Sequence, residues 1–384
     1  MSDEVRSFRI EIPQADVDDL RRRLAATRWP DAHAEDWSRG VPIAYLQELA
    51  SYWGGAYDWR EHETQLNAYP QFVTEIEGQT IHFLHVRSEH DDALPLVLLH
   101  GYPSTFVDFE KLIGPLTDPT GHGGDAGDAF HLVIPSLPGY GFSTPLSSSG
   151  WEMARTTSAF AELLRRLGYQ RYVAHGFDIG AGVAGELGRL DGDHVVAVHV
   201  TTDPGALALL GMPLPDAPPG SAEEEALSHL RDYQTEGVGY LRLQGTRPQT
   251  VAYALTDSPV GQLAWIVEKF KEWTSEAAEL PEDAVDRDQL LTGISIYWFT
   301  RSGASAAQFI YEAAHAQPDW GAESSTPTGY AVFNALGVVR RALDPEHEVE
   351  HWSEFAQGGH FPAMEEPALL TDDLRSFLRA FRED

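Results

Sequence analysis

The chain has 384 residues, more than one compact unit usually holds, so several structural units are expected. Its 59 acidic residues outweigh 27 basic ones for a formal charge of −32, and its lysines are only Lys111, Lys269 and Lys271; such a surface argues against nucleic acid and anionic membranes as partners. The absence of cysteine rules out disulfides, thiol nucleophiles and thiolate metal sites, and with no leader-like or membrane-spanning pattern a soluble, cytoplasmic protein is expected.

Along the chain, FRIEI (8–12) reads as a short alternating strand. After Pro13 a helix follows in which Val17, Leu20 and Leu24 share a face, and a second helix from Pro42 carries Tyr45, Leu46, Leu49 and Trp53. FVTEIEGQTIHFLHV alternates on both sides of Glu77-Gly78, the pattern of a hairpin. From residue 94 the character changes. The runs LPLVLLHG, FHLVIP, YVAHGF and HVVAVHV read as strands, with helices over 105–116, over 152–167 and from 180. Short apolar runs separated by helices predict an α/β fold with a mostly parallel sheet covered on both faces.

The alternation stops near Thr202, and residues 203–315, Pro-rich and then helical, read as an insertion over the sheet. Strand–helix order resumes with TPTGYAVFN and EVEHWSEF. It ends in an amphipathic helix with Pro367 near its start and Leu370, Leu374, Phe377 and Phe381 along one side. The expected division is an N-terminal wrapping segment (1–90), a first part of the core (91–203), a mainly helical cap (204–316) and a second part of the core (317–384). The Gly-rich stretch TGHGGDAGD (120–128) has no fixed ligand spacing and reads as a surface loop, so no metal is expected.

The stretch YVAHGFDIGAG (172–182) has two readings. Gly180-Ala181-Gly182-Val183-Ala184-Gly185 fits the G-x-G-x-x-G turn of a dinucleotide site, with Asp203 at a suitable distance for the ribose. Against this, Asp178 would bring negative charge to the turn where a pyrophosphate must approach. Gly176-Phe177-Asp178-Ile179-Gly180 instead fits a nucleophile elbow with aspartate at its apex, flanked by small residues because larger ones would strike neighbouring backbone. The elbow sets the amide of Ile179 at a helix start, ready to receive developing negative charge. His100-Gly101-Tyr102-Pro103 follows a buried strand where the second oxyanion donor belongs, and Gly358-Gly359-His360-Phe361 follows the last strand where the base belongs. His175 and His199 read as packed histidines.

A carboxylate nucleophile attacks saturated carbon and leaves an alkyl ester of the enzyme, which water activated by His360 then cleaves. Epoxides and alkyl halides are the two substrate classes. An epoxide calls for a proton donor such as tyrosine, whereas halide departure is served by an indole or amide N–H. The residue after the expected nucleophile is Ile179 and the third of the H-G-x-P loop is Tyr102, where dehalogenases of this kind use Trp and often Asn.

These motifs resemble the microsomal-type epoxide hydrolases over nearly the whole chain. FRIEIPQADVDDLRRRLAATRWPD, WSRGVPIAYLQELASYW and YDWREHETQLNAYPQF resemble that family's N-terminal domain; HGYP, HGFDIGAG and QGGHFPAMEEP resemble its core motifs. GYLRLQGTRPQTVAYALTDSPVGQLAWIVEKFKEW and ISIYWFTRSGASAAQFIYE resemble its cap. The resemblance implies an α/β-hydrolase fold and hydrolysis, without cofactor or metal, of a small hydrophobic or aromatic epoxide to a vicinal diol. It implies Asp178 as nucleophile, His360 as general base, Tyr240 and Tyr311 as cap donors to the epoxide oxygen, backbone amides of Tyr102 and Ile179 as the oxyanion hole, and His100 and Pro103 in the substrate loop. The resemblance also suggests a role in secondary metabolism, and a homodimer is left open.

One position departs from the family. Its members carry an acid after the penultimate strand to orient the histidine, and PTGYAVFNAL puts Leu336 there. Either a carboxylate from elsewhere takes the role, with Asp203 and Asp344 as candidates although each alone reads better as a solvated surface acid, or ester hydrolysis is slow. The alternatives to an epoxide hydrolase are a hydrolytic dehalogenase and, given Leu336, a non-catalytic small-molecule binder.

Overall fold

In the computed structural model, which describes residues 4–31, 34–209, 211–316, 324–335 and 337–382, the first strand lies earlier than expected. β1 is Arg6–Phe8 rather than 8–12. Beyond Phe8 the backbone leaves the sheet because side chains take over its hydrogen bonds. Asn67 Oδ1 accepts from the Ile10 amide at 2.9 Å, Asn67 Nδ2 donates to the Ile10 carbonyl at 2.9 Å, and Glu63 Oε1 accepts from the Ile12 amide at 2.8 Å. An alternating pattern alone cannot distinguish a ladder partner from an amide side chain that imitates one.

Helices α1 (Gln14–Ala25) and α2 (Ile43–Gly55) bury the apolar stripes read from the sequence, including Val17, Leu20, Leu24, Leu46, Leu49 and Trp53. A third helix, α3 (Trp59–Leu66), was not foreseen; it is capped by Asp58, whose side chain accepts from the Arg60 amide. β2 (Gln71–Ile76) and β3 (Gln79–Val86) form the hairpin that turns at Glu77-Gly78.

The alternating core follows. β4 (Leu94–Leu99) leads to a capped 3₁₀ turn at Phe106–Phe109 and α4 (Glu110–Thr117). Next come β5 (Phe130–Pro135), α5 (Met153–Arg166), β6 (Tyr172–Gly176), α6 (Ile179–Leu190) and β7 (Val195–Thr202). The Gly-rich stretch over 120–128 makes two short 3₁₀ turns, and Asp128 ties it to Arg379 at 2.6 Å.

Seven helices then intervene among the described residues: α7 (Pro204–Leu209), α8 (Ala222–Asp232), α9 (Gly239–Thr246), α10 (Pro248–Asp257), α11 (Pro259–Trp273), α12 (Arg287–Thr300) and α13 (Ser302–His315). The start expected for the second part of the core, residues 317–323, lies outside the described residues. The chain closes with β8 (Thr328–Val332), α14 (Val338–Leu343), β9 (His351–Glu354), α15 (Pro362–Glu365) and α16 (Pro367–Leu378), with Phe381 in a final 3₁₀ turn.

The strands make one sheet in the order β1-β2-β3-β5-β4-β6-β7-β8-β9. β1, β2, β3 and β5 pair antiparallel, and from β5 through β4 to β9 every pairing is parallel. Buried on both faces, β4 and β5 have continuous apolar runs rather than alternation. Four polar contacts fasten the N-terminal segment to α12 and to the turn just before it. The Trp53 indole donates to Ser295, Tyr57 pairs with Thr292, Tyr52 donates to Asp288 and Tyr45 donates to Glu282, each at 2.9 Å. At roughly 0.5–1.5 kcal/mol apiece, they help set where the insertion sits above the sheet. Among the described residues no helix is long and apolar enough to cross a membrane.

Candidate active site

β4, β6 and β7 are neighbours in the sheet, so the loops leaving their C-terminal ends meet at one place. The first brings His100 to Pro103, the second Asp178 and the third Asp203; His360 arrives from the loop after β9. Asp178 has φ 53° and ψ −129°, a conformation a side-chain-bearing residue adopts at a cost of roughly 1–3 kcal/mol. The elbow fits only because its neighbours are bare. A side chain at Gly180 would run into the carbonyl of Leu99, and one at Gly101 into the Asp178 carboxylate itself.

The two oxygens of Asp178 have different surroundings. Oδ1 accepts from the Tyr102 amide at 2.8 Å, and the amide of Ile179 also stabilises the carboxylate. Oδ2 faces His360 Nε2 at 3.4 Å, an ion-pair contact too poorly aligned for a well-formed hydrogen bond, and among the described residues this nitrogen has no other hydrogen-bond partner. The opposite ring nitrogen, Nδ1, is 2.8 Å from Asp203 Oδ2, and the second Asp203 oxygen accepts from the Gly205 amide at 2.7 Å. His360 is thus held between two carboxylates. Its backbone amide donates to the carbonyl of Trp273 at 2.8 Å, and the Trp273 ring lies 4.9 Å from its own. Glu365 accepts the amides of Phe361 and Ser275 at 2.9 Å each, pinning the histidine loop to the end of α11.

Burial opposes charge on both members of the pair but loses on both. His360 rises to about 10 because Asp178 and Asp203 together outweigh desolvation. Asp178 is lowered because His360 and the two amides outweigh its own burial. The resting site therefore contains a carboxylate against an imidazolium.

Of the acids weighed for orienting the histidine, Asp203 is the one brought to it. Asp344 instead pairs with Arg340 at 3.2 Å and accepts the amides of Glu348 and Val349. Leu336, where the family pattern puts an acid, lies outside the described residues. His100 is fully buried beside the loop, with Nδ1 3.0 Å from the Gly101 carbonyl and Nε2 accepting from the Leu137 amide at 3.2 Å; Pro103 is buried next to Tyr102.

The inserted helices close the site from above. Tyr240 on α9 lies parallel to Tyr102 at 6.0 Å and edge-on to Trp273 at 5.3 Å. Burial, with the charge of Asp178 added, raises its phenol well above the ordinary value and keeps it protonated. Tyr311 is placed differently from Tyr240. α13 buries Phe309 and Ile310, and about 100° further round Tyr311 is half-buried, its ring packed at 4.1 Å on the exposed His315. The phenol brought beside Tyr240 is that of Tyr102, whose oxygen accepts from the Trp265 indole at 2.5 Å.

Sequence reasoning missed the face of α11 that takes part. Trp265, Lys269 and Trp273 recur at intervals of four, a spacing that aligns them on one side of a helix. His175 and His199, read as packed histidines, are fully buried with their Nδ1 atoms 2.9 Å apart. Among the described residues, His199, His351 and Asp373 are the one group close enough to suggest a cation. Their ligand atoms are already spent on one another, at 2.8 and 3.1 Å from the Asp373 oxygens.

Comparison with known proteins bears on this geometry. Residues 5–109 match the family described as Epoxide hydrolase N terminus, and residues 95–204 match the alpha/beta hydrolase fold. The chain is 34% identical over 408 residues to epoxide hydrolase 1 of Sus scrofa, covering 98% of this chain and 89% of that one. It is 45% identical over 379 residues to a Stigmatella aurantiaca protein provisionally named an epoxide hydrolase, covering 98% and 85%. The solved structure of the Aspergillus niger epoxide hydrolase superposes with a TM-score of 0.82 at 31% identity, over 98% of this chain and 96% of that one.

Proposed function

The chain belongs to the microsomal-type epoxide hydrolase family and is a hydrolase acting on epoxides, and from that premise we propose that it opens the ring through an ester on Asp178. Asp178 Oδ2, the oxygen facing His360, attacks an epoxide carbon in line. The ring C–O bond breaks, its electron pair goes to the ring oxygen, and that oxygen takes the phenolic proton of Tyr240. Oδ1 becomes the carbonyl oxygen of the ester, already seated on the amide of Tyr102, with the amide of Ile179 also directed at the carboxylate.

Ester formation removes the negative charge of Asp178, one of the two that hold the proton on His360. His360 then returns a proton to the Tyr240 phenolate and is left neutral, with Nε2 facing the ester. In that state it takes a proton from water, and the hydroxide adds to the Asp178 carbonyl carbon. The amides hold the oxyanion, and collapse releases the vicinal diol and restores the carboxylate. Asp203 keeps the proton of the neutral imidazole on Nδ1. The chemistry asks for no cofactor.

The observation that carries this reading is the divided carboxylate: Oδ1 on the Tyr102 amide, Oδ2 3.4 Å from an imidazole nitrogen. Mainly aromatic walls above it, from Tyr102, Tyr240, Trp265 and Trp273, favour a small hydrophobic or aromatic epoxide. The test is an acid quench during turnover of a styrene-type oxide, followed by intact-mass and peptide analysis. An adduct of one epoxide mass on the peptide containing Asp178 is expected; an adduct on another residue, or no adduct at any quench time in a variant stalled at His360, overturns the mechanism.

A further inference from the structure

Of the three lysines in this acidic chain, Lys269 is 3% exposed, and its burial places a positive charge beside the cap phenol. Its Nζ lies over the face of the Tyr240 ring, 4.7 Å from the centroid, and 5.8 Å from that of Trp273. Two glutamates accompany it on the same helix, Glu272 at 2.5 Å and Glu268 at 3.0 Å. A purely structural brace between glutamates and lysine would be as well served at the surface, where Glu268 already reaches and a lysine stem readily extends. Here the ammonium is drawn inward against an aromatic face instead.

We propose that Lys269 is the counter-charge for the Tyr240 phenolate, a positioning residue that acts through Tyr240 and not on the substrate. The inference rests on the assignment of Tyr240 as proton donor. When Asp178 bonds to carbon and Tyr240 gives up its proton to the ring oxygen, one unit of negative charge leaves Asp178 and reappears on the phenol. That charge moves toward the only ammonium near the ring among the described residues. Apart from the His360 imidazolium, which is spent when its proton passes to the phenolate, the other neighbours of this buried phenol include Glu272, Glu268, Tyr233 and Tyr102, none of which offers a positive charge. A cation against a ring strengthens its attraction as the ring gains electron density, so the contact favours the transition state over the resting enzyme.

The experiment is a double-mutant cycle on the full chain, read by rapid-quench measurement of ester formation and ester hydrolysis separately. Lys269→Met is expected to slow ester formation roughly 10- to 100-fold and leave hydrolysis of the ester within about twofold. Lys269→Arg is expected to recover most of the loss. The loss should grow with the basicity of the alkoxide being formed, a dependence that a merely structural role would not produce. In a Tyr240→Phe background Lys269→Met should cost nothing further. An equal loss in both backgrounds, or none in the parent while Tyr240→Phe is slow, overturns the proposal for Lys269. Full-rate ester formation in Tyr240→Phe would instead overturn the assignment of Tyr240. Should Lys269→Met not fold, Lys269→Gln read against Lys269→Arg gives the same comparison.

Discussion

Replacing Asp203 by Asn separates the two halves of the reaction. The substitution conserves volume, and the Gly205 amide, 2.7 Å from one carboxylate oxygen, orients the new side chain with its carbonyl toward Gly205. The NH₂ group must then face His360 Nδ1, 2.8 Å from the other position. A neutral imidazole meeting a donor at Nδ1 carries its proton on Nε2, the nitrogen that should take a proton from water. Loss of the charged hydrogen bond alone is worth about 1.5–3 kcal/mol, roughly 10- to 150-fold in rate. The wrong tautomer adds to this, and the serine-protease precedent puts the combined loss near 10⁴. Ester hydrolysis should therefore slow by about 10²- to 10⁴-fold while ester formation, which needs only Asp178 and the donors, stays within a few-fold. Rapid quench and intact-mass measurement would show the ester accumulating to nearly one per enzyme. Hydrolysis at the parent rate, or loss of ester formation in the same proportion, would refute the reasoning, and Asp344→Asn should behave as the parent.

Other consequences follow from the same geometry. Tyr240→Phe should slow ester formation by roughly 10²-fold, whereas Tyr311→Phe, with its ring on His315, should alter it less than about threefold; the reverse ranking would return the role to Tyr311. Folding stability should depend on pH through His360. A histidine raised from 6.5 to about 10 contributes stability that is complete below 6.5 and fades as pH rises through 10. Urea midpoints of an Asp178→Asn variant should therefore fall less steeply than those of the parent across that window, since one of the two raising carboxylates is gone; parallel slopes would count against the ion pair. Gly180→Ala should fold poorly or lose ester formation entirely, because its methyl group would collide with the Leu99 carbonyl; circular dichroism melting together with adduct formation would show which.

The parts of the fold legible in the sequence were those whose burial follows residue order, either as a period or as an unbroken apolar run. The apolar stripe of α1, the Glu77-Gly78 hairpin and the continuous apolar runs of β4 and β5 each record burial directly in residue order. β1 and α3 were less legible for a shared reason: Ile10 and Ile12 bond to Asn67 and Glu63, contacts set by tertiary packing rather than by local pattern. At the site, the elbow around Asp178 and the loop of His360 announce themselves because glycines are needed where backbones nearly touch. Asp203 was only one of many acids, and its link to His360 across 157 positions exists only once β7 and β9 lie in one sheet. Tyr240 and Tyr311 were paired through family resemblance, yet one step of helical rotation past Ile310 decides which way a phenol on α13 points. Trp265, Lys269 and Trp273 were readable as a stripe, though a stripe does not say what it faces.

The claim that an enzyme carboxylate supplies an oxygen to the product is tested most directly by one turnover in water enriched in heavy oxygen, with enzyme in excess over epoxide. The account predicts a first diol without label from the solvent and heavy oxygen retained in the Asp178 peptide. Label appearing in that first diol, with Asp178 unlabelled, would mean that water attacked the epoxide itself and would contradict the ester mechanism.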